Sequence, residues 1–244
     1  MSLLLALLAC SPVYRYPGST ASMGRAEVKS SGPWESVETG PEGEAVAEPT
    51  PPPARERPRT TKADPSSGEA VARAAVHYLG RSKLSASGES FRYDCSGLVD
   101  AAYMRAGYDL GKRNSEALYE LAKQTHTHHR RTQPYPGDVV FFDNTYDRNG
   151  NGRLDDELSH VAVVEQVDTD GTVHLVHKGS KGVVRIVMNL EQPDTSYDAE
   201  GKQLNSWLRA KKKSDPKGTK YLAGQLFRGS ASLWQAQDAL ADGQ

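Results

Sequence analysis

The stretch Tyr93-Asp94-Cys95-Ser96-Gly97-Leu98-Val99 sets a cysteine where irregular, polar sequence turns into an apolar helical period. Leu98, Val99, Ala102 and Tyr103 recur at the spacing of one buried helix face and Gly107 supplies a stop, which predicts a helix over 96–106. A thiol at such a helix start meets unpaired amides and the positive end of the helix dipole, which favour thiolate, the attacking form of sulfur. Cys95 is flanked by Asp94 and Ser96 rather than by apolar residues. Its location alone leaves a nucleophile and an inert buried thiol equally open.

Upstream, Ser66-Ser67-Gly68-Glu69 has the form of a capping box, followed by Val71, Ala74, Ala75, Tyr78 and Leu79 at helical spacing. Leu118 and Leu121 predict a third helix over 115–123. After Pro134 and Pro136 the period changes. Short β-branched or aromatic runs at 139–142, 161–167, 172–177, 183–188 and 221–227, separated by Gly, Asp and Asn turns, read as strands. Helices first and strands afterwards indicate an α+β fold, with N-terminal helices packed on a central antiparallel sheet. The folded domain is expected over 68–234, interrupted by a polar insertion at 191–220 that ends in a basic stretch, with a flexible tail at 235–244.

Composition narrows the function. The 244 residues carry 30 Lys+Arg against 31 Asp+Glu, a net charge of −1, and the mean hydropathy is −0.64. No global field recruits nucleic acid, and no apolar run reaches the ~18 residues of a spanning helix. With Cys10 and Cys95 the only cysteines, a disulfide framework and a cysteine-based zinc site are excluded.

A thiol nucleophile needs a base, and the base needs a group that fixes its tautomer. His160 opens the apolar strand Val161-Ala162-Val163-Val164, where it is held by the sheet yet still at a cleft rim. His177 shares its strand side with Val173 and Leu175, and His174 points the other way. Taken without the cysteine, either histidine reads first as a structural or surface residue.

Asp94-Cys95-Ser96-Gly97-Leu98-Val99, Pro136-Gly137-Asp138-Val139-Val140-Phe141-Phe142 and Ser159-His160-Val161-Ala162-Val163-Val164 together resemble the NlpC-type, papain-like cysteine peptidases of bacterial cell walls. The resemblance rests on three motifs in one order and spacing and covers most of 68–188. It implies Cys95 as nucleophile, His160 as base, His177 as polar third member, and Tyr93, Asp94 and Ser96 at the substrate. No cofactor is required. The implied substrate is a peptidoglycan stem peptide, cut between D-glutamate and a diamino acid, and the protein is expected to be a monomer. Two departures stand out: 81–90 lacks the tyrosine and Gly-Gly pair common upstream of the cysteine, and the 191–220 insertion is extra. They keep two alternatives in view, an N-acetylmuramoyl-L-alanine amidase of similar fold and a non-catalytic wall-binding lipoprotein.

The segment 1–10 resembles the end of a lipoprotein signal peptide, with Leu7-Leu8-Ala9-Cys10 as lipobox and Cys10 as the acylated residue. That implies an exported, membrane-anchored protein of the cell envelope, facing the periplasm or the cell surface. Only Met1 and Ser2 precede the apolar run, so the Lys- or Arg-bearing start of such a signal is missing and the position of the true start codon stays open. The stretch 11–67 holds ten of the fourteen prolines and no apolar period, which reads as a disordered tether.

Just before His160, Asp147, Asn149, Asn151 and Asp155 stand at positions 1, 3, 5 and 9 of a calcium-type loop, with Gly152 at position 6 and Arg153 offering its carbonyl at position 7. Position 12 is Leu158, so a bidentate acid would have to be Asp156 or Glu157. A structural calcium ion and a solvated hairpin loop are the two readings. His126-Thr127-His128-His129-Arg130-Arg131 reads as a solvated loop rather than a metal site.

Overall fold

A computed structural model of the chain describes residues 65–236; Cys10 and residues 11–64 of the expected 11–67 linker, and residues 237–244 of the expected 235–244 tail, lie outside the described residues, while 65–67 belong to a helix and Gln235 closes a short 3-10 turn with Ala236 buried behind it. Helix α1 (Pro65–His77) buries Val71, Ala74 and Ala75, and Tyr78 just beyond its end is buried with them. It opens three residues before the expected Gly68 start, on a proline whose missing N–H costs nothing in a first turn. Glu69 therefore lies inside the helix and pairs with Arg73 at 3.4 Å, one turn on, rather than closing a capping box.

A hairpin of β1 (Leu84–Ala86) and β2 (Glu89–Phe91) follows, turning at Ser87 (φ 52°) and Gly88 (φ 80°). Two successive left-handed residues match the twist of a tight hairpin. Next come α2 (Cys95–Arg105), within a residue of expectation, and α3 (Ser115–Gln124), capped by Asn114, whose side chain accepts from the Ala117 N–H at 2.8 Å.

The main sheet contains β3 (His128–His129), β4 (Val139–Phe142), β5 (His160–Val167), β6 (Thr172–Gly179), β7 (Gly182–Asn189) and β8 (Phe227–Ala231). Their order is β3-β8-β4-β5-β6-β7, antiparallel throughout. One face, with Val139, Phe141, Val161, Val163 and Val176, packs on Leu98, Val99, Ala102 and Leu118 of the helices. The other, with Val140, Phe142, Ala162, Val164 and Leu175, is covered by Ala223 and Leu226 of the short helix α4 (Ala223–Leu226) and by Leu208. Burial on both faces explains why β4 is an unbroken Val-Val-Phe-Phe run.

Two expected elements are corrected. The run 221–227 is not a strand: Asn205 Oδ1 accepts from the Gly224 N–H at 2.9 Å, Gln225 Oε1 accepts from the Tyr221 and Leu222 amides, and one helical turn precedes β8. The histidine-rich stretch is not a solvated loop either. His128 and His129 form β3 against β8, and His129 hydrogen-bonds buried Asp138 at 3.0 Å.

The expected insertion is a stretch of irregular chain tied down at several points. Asn205 Oδ1 accepts from the Asn189 N–H at 2.9 Å, and Ser206 N–H donates to Val187 O. Arg209 is enclosed: it pairs with Asp215 at 3.0 Å and donates to the Asn144 carbonyl at 2.7 Å, joining the insertion to the β4–β5 loop. Among the described residues no helix is long and apolar enough to cross a membrane.

Candidate active site

Cys95 is the first residue of α2, held there by a local cap. Asp94 adopts extended backbone and its Oδ1 accepts from the Gly97 N–H at 2.7 Å and from the Ser96 hydroxyl at 3.1 Å. Arg92 donates to Ser96 Oγ at 3.1 Å. Gly97 is required here, since a Cβ at this position would lie 1.9 Å from the Arg92 carbonyl oxygen. The Asp94 carboxylate is thus spent on the helix cap.

Cys95 is half-buried, and the amides of Val161, Ser96 and Cys95 itself reach its sulfur. Burial nevertheless pushes the thiol above its ordinary value, with nearby Asp94 adding to the effect and the three amides opposing it. The expected thiolate is therefore corrected to a resting thiol, because loss of solvent outweighs the helix terminus.

His160 and His177 come together as expected. Extending the β5–β6 register by one step from Val163↔Val176 sets Ala162 opposite His177, which puts His160 on the adjacent diagonal of the same face. Their rings meet edge to face, and His160 Nε2 lies 2.8 Å from His177 Nδ1. Both rings are buried, at 8% and 7% exposure. Burial lowers His160 to about 3, helped by neighbouring His177 and Lys178. Burial and Lys178 lower His177 to about 4. Among the described residues no hydrogen bond joins the sulfur to either ring, so the hydrogen-bonding reach expected between sulfur and imidazole is not found: the three side chains share one cavity, and the only bond formed is the one between the rings. Such bonds are often long before substrate binds.

A pH test follows. Folding holds both imidazoles neutral, so the unfolded chain binds the extra protons between pH 6.5 and about 4, and stability is lost as pH falls through that window. Buried Asp100, raised to about 6, acts in the opposite sense. NMR titration of the imidazole carbon-bound protons separates these effects. Both rings should stay neutral down to below pH 5, and a midpoint between 6 and 7 for either would contradict their burial as a neutral pair.

Cys95, His160 and His177 line one cleft of about 720 Å³ that runs from the α2 tip across the sheet face. Thr145 and Tyr146 form one wall, Lys178 and Lys181 stand at the β6–β7 hairpin, and Trp207 and Leu208 come from the insertion. Tyr146 and Trp207 are both at least half exposed, at 50% and 59%. Of the residues expected at the substrate, Asp94 lines this cleft. Ser96 does not: it is 4% exposed, its hydroxyl tied to Arg92 and Asp94. Tyr93 is a brace, its hydroxyl donating to the Arg81 carbonyl at 2.7 Å while Lys178 sits over its ring. Sequence reading missed the insertion's share of the cleft, because nothing local marks Trp207 as returning to Cys95.

The five expected loop ligands all lie between β4 and β5. Gly152 N–H donates to Asp147 Oδ2 at 3.0 Å, and Asn151 and Asn149 donate to Asp155.

Residues 86–179 match the family model of the CHAP domain. The match takes in fewer than half of the chain's 244 residues. The matched span holds Cys95, His160 and His177 and stops at the last residue of β6, so β7, the insertion and β8 fall outside it. A solved structure from Staphylococcus aureus subsp. aureus Mu50, described as similar to a lipoprotein of the NLP/P60 family, is 22% identical, with 52% of this chain and 37% of that chain covered and a TM-score of 0.34. This chain therefore spans little more than a third of that protein's length. No curated protein matches the chain.

Proposed function

We propose that this CHAP domain is a cysteine endopeptidase that hydrolyses an amide bond in peptidoglycan stem peptides, the bond between D-glutamate and a diamino acid. The observation that carries the reading is a helix-tip thiol sharing one cleft with a hydrogen-bonded pair of neutral imidazoles. For His160 to act as base, its single proton sits on Nε2 and is donated to His177 Nδ1, leaving Nδ1 of His160 to receive the thiol proton. Sulfur then bonds to the carbonyl carbon as that proton passes to His160. The carbonyl oxygen, now anionic, is stabilised by the main-chain N–H of Cys95. Collapse breaks the C–N bond, and His160 gives its proton to the leaving amine. Water, deprotonated by His160, cleaves the thioester and restores the thiol.

Lys178 and Lys181 give the cleft a cationic end suited to the carboxylates of a stem peptide. The amidase reading keeps one specific observation in its favour: the exposed Trp207 face at the cleft, which a sugar ring could cover. Digestion of purified muropeptides by the full-length protein, read by mass, separates the two. Peptide fragments support the endopeptidase; free glycan with an intact stem supports the amidase; binding without cleavage overturns both. Acylated Cys10 would hold the enzyme at the envelope membrane, with the stretch between Cys10 and α1 as its tether.

Placement of His177 carries its own prediction. A Cβ on Gly179 would lie 2.8 Å from His177 Cε1, so Gly179→Ala displaces the ring from His160. Hydrolysis should fall about 10- to 100-fold, the cost of misplacing a supporting group by about an ångström. Unchanged turnover in this variant would remove His177 from the mechanism.

A further inference from the structure

The β4–β5 loop contains two carboxylate oxygens that are shut off from water and bonded to nothing. Asp147 Oδ2 accepts from the Gly152 N–H, but its Oδ1 is buried without a partner. Asp156, 2% exposed, points its carboxylate into the same loop, where Oδ1 accepts from the Arg148 N–H at 3.0 Å and Oδ2 is bare. Leaving a charged oxygen dry and unpaired is costly, and proteins rarely do so twice in one loop. Asp155 lies in this loop too, held by the side-chain amides of Asn149 and Asn151. Arg228 is occupied by Asp143 at 3.1 Å and Glu157 at 3.2 Å, near the two ends of the loop.

We infer that this loop binds a calcium ion, through the carboxylates of Asp147, Asp155 and Asp156, the side-chain oxygens of Asn149 and Asn151, and the Arg153 carbonyl. The choice of acid is settled by contacts: Glu157 is taken by Arg228, whereas Asp156 faces the loop. The donors are all hard oxygens, and an irregular, many-oxygen loop suits calcium better than the small, strictly octahedral magnesium ion. Among the described residues no three His, Cys, Asp or Glu side chains converge as a ready cluster. Half of this set consists of asparagine amides and a main-chain carbonyl, and the ion itself draws the aspartates together.

The site would stabilise the loop that frames the catalytic cleft. Asn144 N–H donates to the Asp156 carbonyl and Asp156 N–H to Asn144 Oδ1, which closes the loop at its base. Thr145 N–H donates to Ser159 Oγ at 2.9 Å, immediately before His160. A cation held between Asp147 and Asp156 therefore fixes Tyr146 on one side and His160 on the other. Binding itself is independent of the proposed hydrolysis.

Terbium luminescence on the full-length protein tests binding directly, because Tyr146 adjoins Asp147 and sensitises a lanthanide held there. Emission should appear with terbium and be displaced by calcium but not by equimolar magnesium. Millimolar calcium should raise the melting temperature by several degrees relative to chelator. Asp147→Asn should weaken calcium binding tenfold or more and abolish the thermal shift. Should Asp156→Asn fail to fold, the exposed Asp155→Asn serves as the second variant. No sensitised emission together with an identical melt in calcium and chelator, or binding unaffected in Asp147→Asn, would overturn the site. Loss of calcium binding without loss of hydrolysis would leave the enzyme reading intact, and the reverse would leave the metal site intact.

Discussion

Replacing Cys95 by alanine is expected to reduce hydrolysis of wall peptides by roughly 10⁴-fold or more, while leaving the melting temperature within a few degrees. The sulfur is half-buried at the start of α2, and the cap that builds this turn uses Asp94, Ser96, Gly97 and Arg92, none of which the substitution touches. What disappears is the atom that, in the proposed mechanism, bonds to the carbonyl carbon. His160→Ala should be nearly as severe, because with the thiol pushed upward by burial little thiolate exists at neutral pH without a base. His177→Ala should cost less, since in the proposed mechanism it only orients His160. Peptide release assayed by mass, with circular dichroism to verify folding, checks the order. Turnover within tenfold of wild type in Cys95→Ala would contradict the assignment.

The second large effect lies far from the chemistry. Arg209→Ala should lower the melting temperature by about 5–10 °C and reduce hydrolysis as well, since it strips an enclosed guanidinium from two partners at once. Arg209 pairs with Asp215 at 3.0 Å and donates to the Asn144 carbonyl at 2.7 Å, with side-chain exposures of only 4% and 5% for the ion pair. Asp215 retains the Lys212 N–H and the Tyr221 hydroxyl in any case, so Asp215→Asn should be milder. Because Asn144 begins the loop that leads to His160, loosening it spreads to the cleft. A differential scanning melt that superimposes on wild type would show that the insertion is not clamped to the domain.

The comparison between sequence and structure divides by the range of the interaction. Local signals were readable: apolar period gave α2 within one residue, and β-branched or aromatic runs between turn residues placed β4, β5, β6 and β7. The histidine pair was readable too, since strand parity decides which side chains share a face. Short-range misreadings came from residues with two uses. Tyr221 to Phe227 has strand composition, but Asn205, far away in sequence, accepts the Gly224 N–H and bends it into a turn. Asp94 and Ser96 beside Cys95 suggest substrate contacts, yet a helix start needs just those residues for its own amides. Sequence gives burial poorly, and the thiol's upward shift is a burial effect. Least legible was the long-range part. Arg209 meets Asn144 across 65 residues, and Trp207 joins the cleft from an insertion outside the CHAP match.

The central claim is that the Cys95 sulfur is the reacting atom of the cleft. Its most direct test is to alkylate the full-length protein with iodoacetamide while following hydrolysis, and to locate the label by peptide mass so that Cys10 is counted separately. Label on Cys95 and loss of activity should advance together, one to one, and excess muropeptide should slow both equally. Complete alkylation of Cys95 with hydrolysis undiminished would contradict the account.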